Sequence, residues 1–279
     1  MDFLTILLCI LAALLLLWLL ALRGRKSGDP IARLCGYCYA HRGLHDQAQQ
    51  IPENSLAAFR RAVQRGYGAE LDVHLSKDQR LIVMHDESLR RTANDDRNIG
   101  DLTLDELSAL RLENTQEKIP QLSEVLSLFE GKTPLVVEIK PVGGNHKELT
   151  RLVCEELDKH PDLTYCIESF DPRVLLWLKK NRPEILRGQL ATNFLKERNG
   201  LALPLAFCLK NLLLNFLTVP DFVAYDFRYR RCASLRLCRS IYGVQEFSWT
   251  IRNPDDARTA QSDNAAIIFE HFDAKKPAK

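Results

Sequence analysis

Residues 134–192 read PLVVEIKPVGGNHKELTRLVCEELDKHPDLTYCIESFDPRVLLWLKKNRPEILRGQLAT, and they give the clearest indication of the fold. Short apolar runs alternate in it with segments whose apolar residues recur at helical spacing. The runs cover residues 134–140, 164–169 and 187–192, and the helical patterns cover residues 145–160 and 172–181. Strand-sized runs that alternate with helices favour parallel pairing. The stretch therefore predicts two consecutive βαβ units.

The same alternation extends in both directions from this stretch. Five more strands are predicted, at residues 37–41, 69–75, 222–227, 244–251 and 265–270, with helices at 55–65, 233–242 and 254–261. Eight parallel strands in about 240 residues fit an α/β fold of the (β/α)8 TIM-barrel type. A doubly wound open sheet is the alternative, but no glycine-rich nucleotide-binding turn follows the first strand.

One apolar run is left over after the second strand. Residues 81–85 follow a polar turn at 76–80, which predicts an antiparallel extension of that strand. Two short helices should come next. Thr103 and Glu106 form a capping-box pattern at the start of the first, and the second covers residues 121–129.

The amino terminus has a different character from the rest of the chain. Residues 3–22 read FLTILLCILAALLLLWLLAL, long enough as a helix to cross the roughly 30 Å core of a bilayer. A signal peptide would carry its positive charge before the apolar run, whereas here Asp2 precedes it and Arg23, Arg25 and Lys26 follow it. We therefore expect a retained, single-pass anchor in the cell membrane over residues 1–27. The basic flank places the second region, residues 28–279, in the cytoplasm.

Composition excludes several classes of protein. The net charge of the 279-residue chain is +2, from 38 basic and 36 acidic residues, so we expect no nucleic-acid partner bound through bulk charge. The eight cysteines lack the patterned spacing of a zinc site. Buried thiols in a reducing compartment are the simpler interpretation.

Polar side chains lie at the ends of four of the predicted strands, where the active site of such a barrel lies. They are His41, Arg42, Glu70, Asp72, His85, Asp86, Glu138 and Lys140. Residues i and i+2 of a strand share a face, so Glu70 points the same way as Asp72. By the same rule, Glu138 points the same way as Lys140.

This set of residues predicts chemistry at phosphorus. Three converging carboxylates would repel one another without a cation, and all-oxygen ligands suit Mg²⁺ or Ca²⁺. Two histidines beside such an ion can act as a base and an acid. Arg42 and Lys140 add fixed positive charge. We expect cleavage of a phosphate ester.

At this point the sequence resembles a known family. The motifs are AHRG (40–43), PENS (52–55), ELDV (70–73), VMHD (83–86) and VEIK (137–140). In order and spacing they are similar to those of the glycerophosphodiester phosphodiesterases. Weaker similarity continues through IPQL (119–122), ESFD (168–171) and WTIRN (249–253), so it covers nearly all of the soluble part.

The resemblance implies a TIM barrel that hydrolyses a glycerophosphodiester to glycerol 3-phosphate and an alcohol. It implies an acid–base pair, His41 and His85, and one divalent cation held by Glu70, Asp72 and Glu138. The implied substrate contacts are Arg42, Lys140, Glu53 and Trp249. Either the glycerol hydroxyl or water could attack phosphorus first. Two positions depart from the family pattern: Ser55 replaces a threonine, and the last strand ends in Glu270, which we leave outside the predicted site.

Two rival functions remain open from the sequence. One is a lysophospholipase D or a related phospholipase D-type activity on membrane lipids. The other is an inactive barrel that serves as a membrane-bound binding protein. The apolar segment from Leu201 to Thr218, LALPLAFCLKNLLLNFLT, could be an element that docks on the bilayer. A helix covered by its neighbours and a dimer contact are the alternatives.

Overall fold

The computed structural model describes residues 2–26, 28–198 and 200–275. Within these residues, eight parallel strands form a closed barrel, because β1 pairs with both β2 and β9. The short β3 pairs antiparallel with β2 outside the ring. The strands are β1 (Cys38–Ala40), β2 (Gly68–Leu75), β3 (Leu81–Val83), β4 (Leu135–Ile139), β5 (Tyr165–Ser169), β6 (Arg187–Ala191), β7 (Phe222–Asp226), β8 (Gln245–Ile251) and β9 (Ala266–Phe269). The predicted barrel and its antiparallel extension are confirmed.

Helices surround the barrel and flank it at both ends. They are α1 (Phe3–Ala21), α2 (Asp29–Cys35), α3 (Leu56–Gln64), α4 (Arg90–Ala93), α5 (Leu104–Ala109), α6 (Leu122–Phe129), α7 (His146–Leu157), α8 (Pro172–Asn181), α9 (Leu203–Lys210), α10 (Asn215–Thr218), α11 (Ala233–Tyr242) and α12 (Pro254–Ser262). Local capping sets several of their starts. Ser55 Oγ accepts from the Ala58 N–H at the start of α3, and Thr103 and Glu106 form the expected capping box of α5.

The barrel interior is apolar toward the amino-terminal ends of the strands and acidic toward their carboxyl ends. Val136 and Cys166 belong to its inner core, and Glu138 and Glu168 lie two residues further along the same strands. Alternation along a strand puts each acid on the same inward face as the apolar residue before it. The bottom is closed by α2, where the Tyr39 hydroxyl donates to the Leu34 carbonyl over 2.8 Å. Carboxylates thus concentrate at the carboxyl ends of the strands.

The helix α1 is long and apolar enough to cross a membrane, and none of its most apolar stretch is buried. Its end is fixed to the barrel. Leu22 is fully buried against a cluster that includes Val223 and Val244. The Arg25 Nε atom lies 2.6 Å from Asp221 Oδ1, just before β7 begins. The chain leaving α1 therefore joins the barrel near the amino-terminal ends of the strands.

The apolar segment 201–218 forms α9 and α10 on the outside of β6 and β7. Its side chains are divided between interior and surface. Leu212 is 1% exposed, whereas Leu203, Phe207 and Phe216 are 58%, 50% and 48% exposed. A helix covered on all sides by neighbours within the chain is therefore excluded for this segment.

Candidate active site

Four of the predicted site residues come from two adjacent strands. Glu70 and Asp72 lie in β2, Glu138 lies in β4, and Lys140 follows it. The parallel register pairs Asp72 directly with Glu138. Because β2 and β4 are neighbours, their carboxylates meet at one point of the barrel mouth.

The three carboxylates Glu70, Asp72 and Glu138 have the donor set and spacing of a metal site. One oxygen of each lies within 4.8 Å of the others, and all three side chains are buried. Oxygen ligands at this spacing fit a hard divalent cation. These residues can therefore hold such an ion.

Burial gives these carboxylates unusual proton affinities. It raises the pKa of Glu138 to about 7, and it raises that of Glu70 well above its usual value, with Asp72 adding to both effects. Burial would also raise the pKa of Asp72. There, however, Lys140, His85 and Arg42 outweigh it and hold the pKa well below its usual value.

His41 follows β1 and is held by a carboxylate on the last strand. Its Nδ1 atom lies 2.7 Å from Glu270 Oε2, while its Nε2 atom lies 4.0 Å from Glu70 Oε2. An ionised carboxylate only accepts, so the Nδ1 proton of His41 is donated to Glu270. This leaves Nε2 facing the carboxylates. Burial lowers the pKa of His41.

Glu270 is fixed from its other side as well. Its Oε1 atom accepts from Arg252 Nε over 2.7 Å. Although burial raises the pKa of Glu270, its hydrogen bond with His41, the nearby His45 imidazole and the Arg252 guanidinium outweigh that effect, and the net pKa is lowered. Glu270 is thus an ionised acceptor for the His41 imidazole.

His85, two residues after β3, has the same arrangement. Its Nδ1 atom lies 2.6 Å from Asp86 Oδ1, and Asp86 Oδ2 accepts from Arg91 Nε over 2.5 Å. Burial lowers the pKa of His85 as well, with Lys140 and Arg42 contributing. Burial thus favours the neutral form of both predicted catalytic histidines, and each has a carboxylate on Nδ1.

Cations border the carboxylate cluster. Lys140 Nζ lies 3.2 Å from Asp72 Oδ1 and 3.3 Å from Glu138 Oε1. The Arg42 guanidinium lies 3.0 Å from Glu53 Oε1, and its Nε is 3.8 Å from Asp72 Oδ2. An anion placed over the carboxylates would meet both positive groups.

Glu53 and Trp249 occupy different positions relative to this cluster. Glu53 holds Arg42 and accepts two hydrogen bonds from Arg91, so it orients the cations. Trp249 lies in β8, where its indole N–H donates to the Ala224 carbonyl and its ring packs edge-on against Phe170. Its role as a substrate contact stays a prediction.

Sequence reasoning missed three residues of this site. Glu270 holds His41, and Asn54 donates to Asp72 Oδ2 over 2.9 Å. Glu168 is buried, pairs in register with Glu138, and has a pKa raised well above its usual value by burial and by Glu138. The motifs PENS and ESFD contain Asn54 and Glu168, which was the available signal. Glu270 was noted at the end of the last strand but left outside the predicted site.

The comparison with protein families agrees with this geometry. The model of the glycerophosphoryl diester phosphodiesterase family matches residues 41–274. The chain belongs to this family. The protein is thus a phosphoric diester hydrolase built on a TIM barrel, as the sequence predicted.

Individual relatives support the same assignment. A glycerophosphodiester phosphodiesterase of Caldanaerobacter subterraneus subsp. tengcongensis is 33% identical over 230 residues, which is 78% of this chain and 86% of that protein. Human lysophospholipase D GDPD1 is 34% identical over 134 residues, which is 43% of this chain and 40% of that protein.

Solved structures are similar over the whole barrel. An Oleispira antarctica phosphodiesterase in complex with the product sn-glycerol-3-phosphate has a TM-score of 0.68 and 27% identity, covering 84% of this chain and 92% of its own. The glycerophosphodiester phosphodiesterase of Thermotoga maritima has a TM-score of 0.63 and 28% identity, covering 83% and 93%.

Proposed function

We propose that the protein hydrolyses glycerophosphodiesters to glycerol 3-phosphate and an alcohol, with one Mg²⁺ or Ca²⁺ ion on Glu70, Asp72 and Glu138. The observation that carries this is the meeting of three buried carboxylates with two imidazoles at one rim of the barrel. When bound, such an ion polarises a phosphoryl oxygen and offsets its negative charge.

His41 and His85 form the acid–base pair of this proposal. Each donates its Nδ1 proton to a carboxylate, so each keeps Nε2 available for proton transfer. One imidazole takes the proton of the attacking oxygen. The other, in its imidazolium form with a proton on each ring nitrogen, gives its Nε2 proton to the departing alcohol oxygen, and the carboxylate on its Nδ1 stabilises that form.

The remaining predicted contacts position the phosphate. Lys140 and Arg42 supply donors beside the carboxylates, and Glu53 holds the Arg42 guanidinium in place. Trp249, at the mouth of the barrel, forms an apolar wall for the organic part of the substrate.

A substrate panel tests this function. The full-length protein in detergent is assayed on glycerophosphocholine, glycerophosphoethanolamine and lysophosphatidylcholine, first in EDTA and then with Mg²⁺ or Ca²⁺ restored. Metal-dependent release of glycerol 3-phosphate from the two glycerophosphodiesters is the expected result, and release of lysophosphatidate from lysophosphatidylcholine would support the second candidate function below. Binding of the diesters without turnover under any of these conditions would favour the rival, an inactive binding protein.

The membrane arrangement is a second part of the proposal. Residues 1–27 form a retained anchor in the cell membrane, and the barrel of residues 28–279 lies in the cytoplasm. The basic flank of α1, Arg23, Arg25 and Lys26, supports this orientation. Protease added outside intact cells should leave the barrel uncut, and carbonate at high pH should not extract it. Digestion from outside would reverse the orientation.

A lysophospholipase D activity on membrane lipids is the second candidate function. It is favoured by the exposed apolar side chains of α9 and α10, which lie beside the end of α1. A barrel held against lipid by that face could reach a lysophospholipid at the bilayer surface. Release of the headgroup alcohol from lysophosphatidylcholine in liposomes tests this candidate.

A further inference from the structure

An apolar groove of about 590 Å³ lies between α8 and the α9–α10 segment. It is lined mainly by the carbon side chains of Leu176, Phe194, Leu201, Leu205, Leu209 and Leu217. The charged pair on its wall, Asp171 and Arg173, is neutralised internally by a 2.6 Å contact. The volume lies within the range of small-molecule sites, and the lining suits a hydrocarbon chain.

The upper end of the groove lies at the barrel mouth. Phe170, on its wall, directly follows β5, and its ring packs edge-on against Phe194 at 5.9 Å and Trp249 at 5.7 Å. Two residues before Phe170, Glu168 pairs in register with Glu138. Neighbouring strands are about 5 Å apart, so the groove opens one strand away from the carboxylates.

The outer side of the groove is continuous with the exposed apolar face. Leu205 and Leu217 line the groove, yet they are 42% and 40% exposed, beside Phe207 and Phe216. The lower end lies on α10, which also contacts α1. An apolar path therefore leads from the candidate membrane helix to the mouth of the barrel.

We propose that this groove holds the acyl chain of a lysophospholipid while its phosphodiester lies over Glu70, Asp72 and Glu138. The inference rests on the proposed hydrolysis of phosphodiesters and names a substrate class for the same site. A water oxygen adds to phosphorus, the P–O bond to the headgroup breaks, and the headgroup leaves as an alcohol carrying one proton of the water. The chain stays with the lysophosphatidate product. A single groove fits one chain.

Filling the groove tests the proposal in the full-length protein in non-ionic detergent. Leu205→Trp fills it, whereas Leu203→Trp changes an exposed leucine on the same helix that does not line it. The substrates are palmitoyl and hexanoyl lysophosphatidylcholine and chain-free glycerophosphocholine. We expect Leu205→Trp to raise KM for the palmitoyl substrate about tenfold, the effect of losing about two buried CH₂ groups. Values for glycerophosphocholine, and all values for Leu203→Trp, should stay within about twofold of the parent.

Several results would overturn the groove assignment. Equal losses on palmitoyl substrate and glycerophosphocholine would indicate general damage, and equal effects of both tryptophans would indicate a surface effect. Hydrolysis of glycerophosphocholine by the parent without any of lysophosphatidylcholine would exclude the substrate class.

A binding measurement separates failure of the groove from failure of the catalytic proposal. A lysophosphatidylcholine spin-labelled near the end of its chain is added to the full-length protein in EDTA. An immobilised spectrum in the parent and in Leu203→Trp, lost in Leu205→Trp, would place the chain in the groove even if no diester were hydrolysed. The same immobilised fraction in both variants would contradict the proposal.

Discussion

The Nδ1 atom of His41, after the first strand, lies 2.7 Å from Oε2 of Glu270, after the last strand. This side-chain contact joins the ends of β1 and β9, the two strands whose backbone pairing closes the barrel. It fixes the proton of His41 on Nδ1 and leaves Nε2 directed toward Glu70. Glu270 is therefore a positioning residue for His41, one member of the proposed acid–base pair.

Glu270→Gln should lower kcat about 10- to 100-fold, less than the 10²–10⁴-fold typical of losing an acid–base group. The amide cannot stabilise a His41 imidazolium as the carboxylate does, and it can hold the ring in the wrong tautomer. Because the Glu270 carboxylate raises the pKa of His41, the limb of the pH profile that reports His41 should also move to lower pH. Glu130→Gln is a matched control, because the Glu130 carboxylate also contacts a histidine, His160, but neither residue belongs to the predicted site. An unchanged pH profile would leave Glu270 with a structural role only.

Glu270 also shows where sequence reasoning stopped. Motifs identified His41, His85, Glu70, Asp72 and Glu138, because these residues lie in or just after recognisable strands at fixed spacing. Glu270 lies 229 positions from His41, and only closure of the barrel brings them together. The last strand also departs from the family pattern, and for that reason Glu270 was left outside the predicted site.

His41→Ala and His85→Ala should each reduce turnover by about 10²–10⁴-fold. Each change removes an imidazole whose Nε2 is free for proton transfer and leaves the carboxylate cluster in place. Steady-state assays check the rate, and thermal unfolding checks that both variants stay folded. Near-parental turnover in a folded variant would remove that histidine from the mechanism.

Removal of the divalent metal should abolish hydrolysis. The variant Asp72→Asn should not rebind the metal when it is added back. Asp72 is the central carboxylate, paired in register with Glu138 and held by Lys140 and Asn54. Exhaustive chelation followed by calorimetric titration of Mg²⁺ and Ca²⁺ measures both effects. Glu155→Gln, on the outer face of α7, should bind metal as the parent does. Full activity after chelation would contradict the prediction.

Metal should stabilise the protein more at about pH 8 than at about pH 5.5. The pKa of Glu138 is about 7 in the folded protein against an ordinary value of 4.5. Between these values the folded metal-free protein holds a proton that the unfolded chain has lost. The contribution of Glu138 to the stability of the folded metal-free protein therefore falls as pH rises from 4.5 to about 7. Metal replaces the proton, so its binding weakens in acid.

Thermal unfolding with and without metal at both pH values measures this effect. In the metal-free protein, Glu138→Gln cannot titrate at this position and should reduce the fall in stability between the lower and the higher pH. An equal shift of Tm by metal at both pH values in the parent would show that Glu138 does not carry a proton near neutrality.

The segment 201–218 shows a second limit of the sequence. Its apolar composition predicted an unusual surface, and Leu203, Phe207 and Phe216 are indeed exposed. Composition could not separate them from Leu212, which is buried in the cluster that receives Leu22. That separation depends on where the turn between α9 and α10 lies, and on the end of α1 packing against it.

Lysine substitutions on the exposed apolar face should lower activity on lysolipid in a bilayer without affecting a soluble diester. Phe207→Lys and Phe216→Lys place charge on side chains that are half exposed, whereas a lysine at the buried Leu212 would unfold the cluster around it. If α9 and α10 rest on lipid, each lysine opposes the burial of that face, and α1 alone would tether the barrel. In liposomes, each full-length variant should then show a several-fold lower ratio of lysophosphatidylcholine to glycerophosphocholine hydrolysis than the parent.

Arg236→Lys, which keeps the charge of a neighbouring helix, should leave the ratio unchanged. In detergent the bilayer constraint is absent, so the variants should approach the parental ratio. An unchanged ratio in liposomes would show that the anchor only localises an enzyme for soluble diesters.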